Sequence, residues 1–458
     1  MKNFPTSLAA EATFLRDGLA VLDPVKSQAE AIDDIRALEE LKAACAAAQA
    51  RRTAELEALR HEEEKARGVP KARRGNGLAA EVGLARGQSP ARGTKYLTLA
   101  RTLEDDMPLT KNALALGQIN EERAQAVVNE VSWLAPEHRA EVDELMAGKF
   151  EGLGPRKLAG KVRAHAERLD LHGAVARNEI AHSERRVTVR PAAYGMAYVT
   201  ALVSTQQAVG ILATLTRDAN SVINSGETAD PTDPTGQPRT HGQVMADLFV
   251  QRVNGQTAPQ AVPAEVLVVM TDEALFGEGD TPAWIAGHGP VPAELAKRWI
   301  ANPQAEMSLR RVFTRPKDHQ LVAMESRSRS FPANLRRMVV LRDDVCRTPF
   351  CDAPIKEIDH VVPVHEGGPT SWENASGLCA ACNKIKENTG WTHQATPERL
   401  SVTTPTGHQY AKDTGPVLEG IPPDKRQPPD KRPLPELRLS TDCYTTTTEW
   451  TATLRLAA

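Results

Sequence analysis

Four of the six cysteines in this 458-residue chain fall within 37 residues, as Cys346-x4-Cys351 and Cys379-x2-Cys382, with 27 residues between the pairs. Two short-spaced thiol pairs are the pattern of a tetrahedral zinc site, each pair on a tight knuckle. Such an ion is structural. A unit of about 50 residues buries too little apolar surface to hold itself together, and structural zinc contributes roughly 10–16 kcal/mol of apparent binding free energy in small domains. Met1–Ala10 has one Lys and no apolar stretch of secretory length. Paired thiols without an export signal point to a reducing compartment, so the chain is expected in the cytoplasm.

Between the pairs lies a second set of residues with different chemistry. Asp359 and His360 are adjacent on an expected strand, Ile358–Val362, so their side chains face opposite ways unless the strand bulges or ends there. Asn374 follows His360 by fourteen residues and Asn383 by nine more. Asn383 directly follows Cys382 at the start of an expected helix that carries Lys384 and Lys386. Asp359 and Asn383 are hard oxygen ligands, suited to Mg²⁺ or Mn²⁺ and poorly suited to the zinc that thiolates attract. His360, left free of metal, is a general base that titrates near neutrality. An Asp-His pair or a lone Asn is structural more often than not; the order and spacing inside a thiolate-pinned frame carry the reading.

The rest of the chain must position this set. Its length exceeds what one core supports, and its composition, 41% hydrophobic and 25% charged, is that of a globular protein. With aromatics at 4%, the cores must be built from Ala, Leu and Val. The net charge of −3 means that a polyanion would have to be met by a local patch. No membrane span is expected: the uncharged stretch between Arg190 and Arg217 carries Ser204, Thr205, Gln206 and Gln207 at its centre. It reads as a strand, Ala197–Val203, then a helix capped by Ser204 or Thr205.

Helical spacing of Ile32, Ile35, Leu38, Leu41 and Cys45 predicts one long helix or two stacked ones over Ser27–Ala66, with Cys45 buried. Arg67–Lys95 is Gly/Pro-rich, with seven basic residues against Glu81 alone; it is a flexible loop or a phosphate-contacting arm. Helices resume from Tyr96 to His172, with Thr110 and Asn120 as N-caps. Alternating patterns follow: a strand near Val187–Val189, a loop at Asn220–Arg239, a helix at Gly242–Arg252, a buried strand at Val266–Met270 and a turn holding His288. Met307–Arg342 is basic, a solvated face or a DNA contact. A hairpin is expected at Thr404–Tyr410, then a proline-rich linker in which Pro422–Arg426 recurs at Pro428–Arg432, and a Thr-rich tail. The fold class is therefore α+β and multidomain, with a mainly helical N-terminal region, a mixed α/β middle and a C-terminal metal-bearing module. The expected divisions are 1–95, 96–330, 331–395 and 396–458.

Arg342–Trp391 resembles an HNH endonuclease module of the ββα-metal class, in its four-cysteine zinc form; the Asp-His, Asn and Asn positions, Pro363 and Gly367–Gly368 carry the likeness. The resemblance implies His360 as the base that activates water and Asp359 and Asn383 as ligands of the catalytic ion. It also implies that Asn374 holds the intervening loop so that His360 is oriented, and that the products are 5′-phosphate and 3′-hydroxyl ends. Many relatives have His at the position of Asn383, so the metal preference can differ. Pro108–Ala126, Asp233–Asp247 and Ala286–Lys297 resemble the actinobacterial domain of unknown function that precedes such modules, the mycobacterial thirteen-E-twelve repeat family, over about Leu97–Arg315. Trp391–Pro423 resembles its trailing segment. On this basis Arg342, Arg347, Lys384 and Lys386 are candidates for gripping DNA phosphates, and His365, His393 and His408 are structural or exposed. The expected activity is metal-dependent hydrolysis of DNA; the alternatives are a zinc-stabilised DNA-binding module or an interaction scaffold without cleavage. Oligomeric state is not legible.

Overall fold

The computed structural model describes residues 7–150, 152–225, 237–255, 268–277, 279, 281–300 and 330–415, together with five two-residue strands outside those ranges. The chain divides into two compact units, one of residues 1–75 with 94–175 and one of 76–93 with 176–458. No helix among the described residues is long and apolar enough to cross a membrane.

The first unit is helical. After α1 (Leu8–Leu19), Ser27 caps α2, whose 39 residues run unbroken from Gln28 to Ala66, one helix rather than two stacked ones. Its buried stripe is Ala43, Ala46, Ala47, Ala50, Thr53, Glu57, Arg60 and Glu64, the i, i+3, i+4, i+7 face of a helix against a core. Small side chains let α5 (Pro108–Ala115) pack closely on it. Cys45 lies roughly 120° around the helix from the centre of this stripe and is exposed, as are Ile32 and Ile35. The expected burial of Cys45 is thus corrected: alanines, not the Ile/Leu/Cys series, make the contact.

The core is completed by α6 (Glu121–Val131), α7 (Pro136–Met146) and α8 (Pro155–Leu169), which add Val127, Val131, Val142, Met146, Leu158 and Val162 to Leu114 of α5. Asn120 caps α6 as expected, accepting from Arg123 N at 3.0 Å. Thr110 is not a cap, because Pro108 starts its helix two residues earlier. The orphan amides of α5 are met from α7 instead: buried Asp143 accepts from Leu109 N at 2.7 Å, Thr110 N at 2.8 Å and Thr110 Oγ1 at 2.6 Å.

The second unit begins with α3 (Leu78–Ala85) and the first residues of α4 (Pro90–Arg101), and resumes at α9 (Leu171–Ser183). An antiparallel hairpin of β1 (Arg186–Pro191) and β2 (Ala197–Leu202) precedes α10 (Thr205–Ser225), capped by Ser204. Helix α10 thus runs into the expected loop at Asn220–Arg239, whose central part lies outside the described residues. Thr240 and Gln243 form a capping box on α11 (His241–Asn254). Strands β3 (Val268–Val269), β4 (Ala283–Ile285) and β5 (Gly289–Val291) form a small sheet with α12 (Asp272–Phe276) and α13 (Ala293–Ile300). Val266 and Leu267 of the expected strand lie outside the described residues. His288 is a turn residue, with Nδ1 3.1 Å from its neighbour Ala286 O. Most of the basic stretch from Met307, the proline-rich repeat and most of the tail also lie outside them; within the stretch are the two-residue strands β6 (Leu309–Arg310) and β7 (Glu325–Ser326).

From Phe331 a ββα arrangement follows. Helix α14 (Ala333–Asp343) packs on β10 (Ala375–Leu378), which pairs antiparallel with β8 (Glu357–His360) in the register Ala375↔His360 and Leu378↔Glu357. Two-residue β9 (Thr370–Ser371) pairs with β7, and α15 (Ala380–Lys386) lies against β8. A three-stranded sheet of β11 (Thr392–Ala395), β12 (Arg399–Thr403) and β13 (Gln409–Asp413) closes the unit, with the expected hairpin between β12 and β13. Its core is Trp391, Leu400 and Val402, covered by Ala80 and Leu84 of α3. Gly77 has φ 85°, and a Cβ there would meet Trp391 Nε1 at 2.5 Å, so glycine lets the chain approach the indole. Arg67–Lys95 is therefore not the flexible loop expected: its middle is a buried helix. The observed class is α+β, helical first, mixed in the middle and ββα with four clustered cysteines near the end.

Burying Leu84 contributes about 2 kcal/mol, and Leu84→Asp adds the desolvation of a carboxylate. The expected outcome is a loss of about 3–5 kcal/mol, read as a lower urea midpoint and as new proteolytic cleavage within residues 76–93. An unchanged midpoint would remove α3 from this core.

Candidate functional site

The four cysteines come together. Cys346 N donates to Ala353 O at 2.9 Å and Cys351 N to Thr348 O at 3.0 Å, closing the first knuckle, where Phe350 adopts φ 61°. Cys379 is the N-cap of α15; its Sγ accepts from Cys382 N at 3.4 Å. All four are buried, with sulfurs within 4.8 Å of one another; Cys351 Sγ is 3.9 Å from Cys379 Sγ and 3.7 Å from Cys382 Sγ. A tetrahedron of 2.3 Å zinc–sulfur bonds has edges of about 3.8 Å, so the residues fit such an ion. Hydrogen bonding within the cluster perturbs each thiol, lowering Cys346 and Cys379 and raising Cys351 and Cys382. Buried sulfurs this close share protons until a cation replaces them.

Asp359 and His360 share one cleft because β8 ends at His360, shorter than the expected strand. The cleft, about 320 Å³, is lined by Asp359, His360, Pro363, Val364, His365, Lys386 and Glu387. His360 Nε2 is 2.9 Å from Thr370 Oγ1, and its ring lies 4.3 Å from that of Phe331, tilted by 35°. Burial pushes its pKa down, against the nearby Asp359 carboxylate, so the imidazole favours the neutral form. Burial likewise pushes Asp359 up, opposed by Lys386, whose Nζ donates to Asp359 Oδ2 at 2.5 Å and to His360 O at 2.6 Å.

Asn374 pins the chain between these groups. Its Oδ1 accepts from Val362 N at 2.8 Å, and its Nδ2 donates to Val362 O at 3.0 Å and Pro369 O at 2.8 Å. Gly368 is required beside it, since a Cβ would fall 1.8 Å from Val362 O. Asn383 lies one helical turn before Lys386 and donates through Nδ2 to Glu357, while its Oδ1 is buried and has no hydrogen-bond partner. An unpartnered buried amide oxygen is a donor of the kind a hard cation takes, but Asn383 is not among the residues that line the Asp359–His360 cleft.

Two candidates are corrected. Arg342 is 7% and Arg347 3% exposed, and neither guanidinium is presented to a phosphate. Arg342 forms a fork with Asp343 at 2.6 and 2.9 Å, donates to Trp372 O at 3.0 Å and Ala375 O at 2.7 Å, and stacks 4.5 Å from the Trp372 ring. Arg347 donates to Thr396 O at 2.8 Å and Thr414 Oγ1 at 3.1 Å, and burial pushes its pKa down to about 10. Both tie α14 and the first knuckle to the strands. Lys384 is exposed on α15. Glu357, Thr370 and Phe331, which stand around the site, were missed by sequence reasoning: Glu357 stands two residues before Asp359 on the same strand face, a signal that was legible, but nothing in the spacing marks the other two; His365 lines the cleft and is exposed, as expected.

Cys379→Ser should release the ion and unfold the ββα region, read as loss of zinc by elemental analysis together with a lower melting temperature; retained zinc or wild-type melting would refute the tetrathiolate frame. His393, on β11, gives a pH prediction. Burial, reinforced by Lys386, pushes it down to about 4, so the unfolded chain takes up a proton near pH 6.5 that the folded chain refuses until about 4. Stability is therefore full above about pH 6.5 and falls as pH drops towards 4. His393→Gln should flatten that slope in melting curves across this range.

Two family models cover most of the chain: the domain of unknown function DUF222 matches residues 36–343, and HNH endonuclease matches residues 344–389. An uncharacterized protein of Mycobacterium tuberculosis, Rv3776, is 35% identical over 133 residues, 28% of this chain and 24% of that protein, so the match spans about a quarter of the relative's length. No solved structure matches. With two-thirds of its length under the first description and its cysteine-framed ββα region under the second, the chain belongs to the DUF222 family and carries an HNH endonuclease domain.

Proposed function

We propose that the chain is a metal-dependent endonuclease that hydrolyses DNA phosphodiester bonds, with His360 as general base. The observation that carries this reading is the convergence of Asp359 and His360 on one cleft within the HNH-matched segment. Asp359 and Asn383 would hold Mg²⁺ or Mn²⁺, and Cys346, Cys351, Cys379 and Cys382 would hold Zn²⁺. The bound divalent ion supplies positive charge against the negative charge that builds on the phosphate.

We assign the ring proton to Nε2, which lies 2.9 Å from Thr370 Oγ1, so that the Nδ1 lone pair of His360 would take a proton from water. Its lowered pKa keeps that lone pair available at neutral pH, and Phe331 and the Asn374-pinned loop limit how the ring can turn. As water loses its proton to Nδ1, its oxygen bonds to phosphorus; the bond to the 3′-oxygen breaks, and that oxygen takes a proton from solvent. The products are a 5′-phosphate and a 3′-hydroxyl. Lys384, exposed on the same helix as Asn383, would meet a neighbouring phosphate.

His360→Ala should lower DNA cleavage by about 10²–10⁴-fold while leaving DNA affinity unchanged, measured on supercoiled plasmid with Mg²⁺ and with Mn²⁺. Equal cleavage by the variant would remove His360 from the reaction. DNA binding without cleavage by the unmodified chain in either metal would leave the reading of a binding module.

A further inference from the structure

The Asp359 carboxylate already holds a cation. Lys386 Nζ lies 2.5 Å from Asp359 Oδ2 and 2.6 Å from His360 O, on a side chain only 10% exposed. One charge gathered between a carboxylate and a carbonyl, out of solvent, resembles metal coordination more than a surface ion pair. The neighbouring rung has the opposite character. Glu357 and Asp359 share one face of β8, and Asn383 and Lys386, one turn apart, share the face of α15 that meets them. Glu357 draws the NH₂ end of Asn383 to itself, leaving the amide oxygen buried and unpartnered.

We propose that Lys386 is a tethered stand-in for the divalent ion: its ammonium neutralises Asp359 while the metal is absent, and the ion enters by displacing it. This rests on the reading of Asp359 as a metal ligand. Two cations cannot share that carboxylate without repulsion, so the lysine lowers the apparent metal affinity by competing for the site. The displaced ammonium remains on a residue that lines the cleft, where it can turn to substrate phosphate. Metal binding and the release of a phosphate-binding charge thus become one event.

The test is Mn²⁺ binding to the zinc-loaded full chain without DNA, followed through the free-ion paramagnetic resonance signal at fixed ionic strength. Lys386→Met should tighten Mn²⁺ binding by about 5–20-fold, and Asp359→Asn should abolish it. Lys386→Gln, which can still donate to Asp359, carries the same expectation if Met disturbs folding in melting curves. Unchanged or weaker binding in both lysine variants, with Asp359→Asn still defective, overturns the stand-in alone and leaves the nuclease reading in place. Wild-type binding by Asp359→Asn overturns both.

Discussion

Four sulfurs crowded inside the protein are the constraint on which the C-terminal unit depends. Cys346, Cys351, Cys379 and Cys382 form a cluster with Leu378 that is separate from the apolar core of Phe331, Leu335, Val339, Ile358 and Trp372. Desolvated thiols make few dispersion contacts that an aliphatic core would not make better, and they cannot ionise together without a counter-charge. Their value is geometric. Because Cys379 is both a cluster member and the N-cap of α15, the direction of that helix is set by the sulfur frame, and with it the placement of Asn383 and Lys386 against β8. At the other end Asp343 gathers Arg342, Arg347 and Gly377 N, so a buried ionic knot and a sulfur cluster clamp the ββα unit from two sides.

The candidate site was legible in the sequence to the extent that it lay in local spacing. The cysteine pairs, the Asp-His step and Asn383 are short-range patterns, and the structure clusters the four sulfurs, ends a strand at Asp359–His360 and puts Asn383 in a helix, while Asn374 lies in a turn for which no element was expected. What spacing could not give was the fate of individual charges. Arg342 and Arg347 stand in a basic run that reads as a DNA-facing surface, but a guanidinium is buried or exposed according to acceptors far along the chain: Trp372 O and Ala375 O in one case, Thr396 O in the other. Cys45 shows the same limit on a helix. Ile32, Ile35, Leu38 and Leu41 are the more hydrophobic series, yet the contact runs along Ala43, Ala46, Ala47 and Ala50, since close helix approach favours small side chains. Thr110 had the right residue type for a cap, but a proline upstream moved the helix start and a buried aspartate from another helix took the task.

The helical unit and the ββα unit meet their polar groups in the same way. In each, a buried carboxylate from a neighbouring element accepts several donors at once: Asp143 at the start of α5, and Asp343 between α14 and β10. Such carboxylates fix the position of elements in a chain with few aromatics to interlock. They are also intolerant of truncation, since losing one leaves several buried donors unmatched.

Helix α3 has a consequence in time as well as in space. Leu84 and Leu400, packed in one core, are separated by more than three hundred residues of synthesis. At 5–20 residues per second, the early helix waits roughly 15–60 s for the strands it will cover. Until then its apolar face must be shielded by transient contacts or by chaperones. The sheet that closes the ββα unit is thus completed only after β13 has been synthesised, which delays the finished module until then.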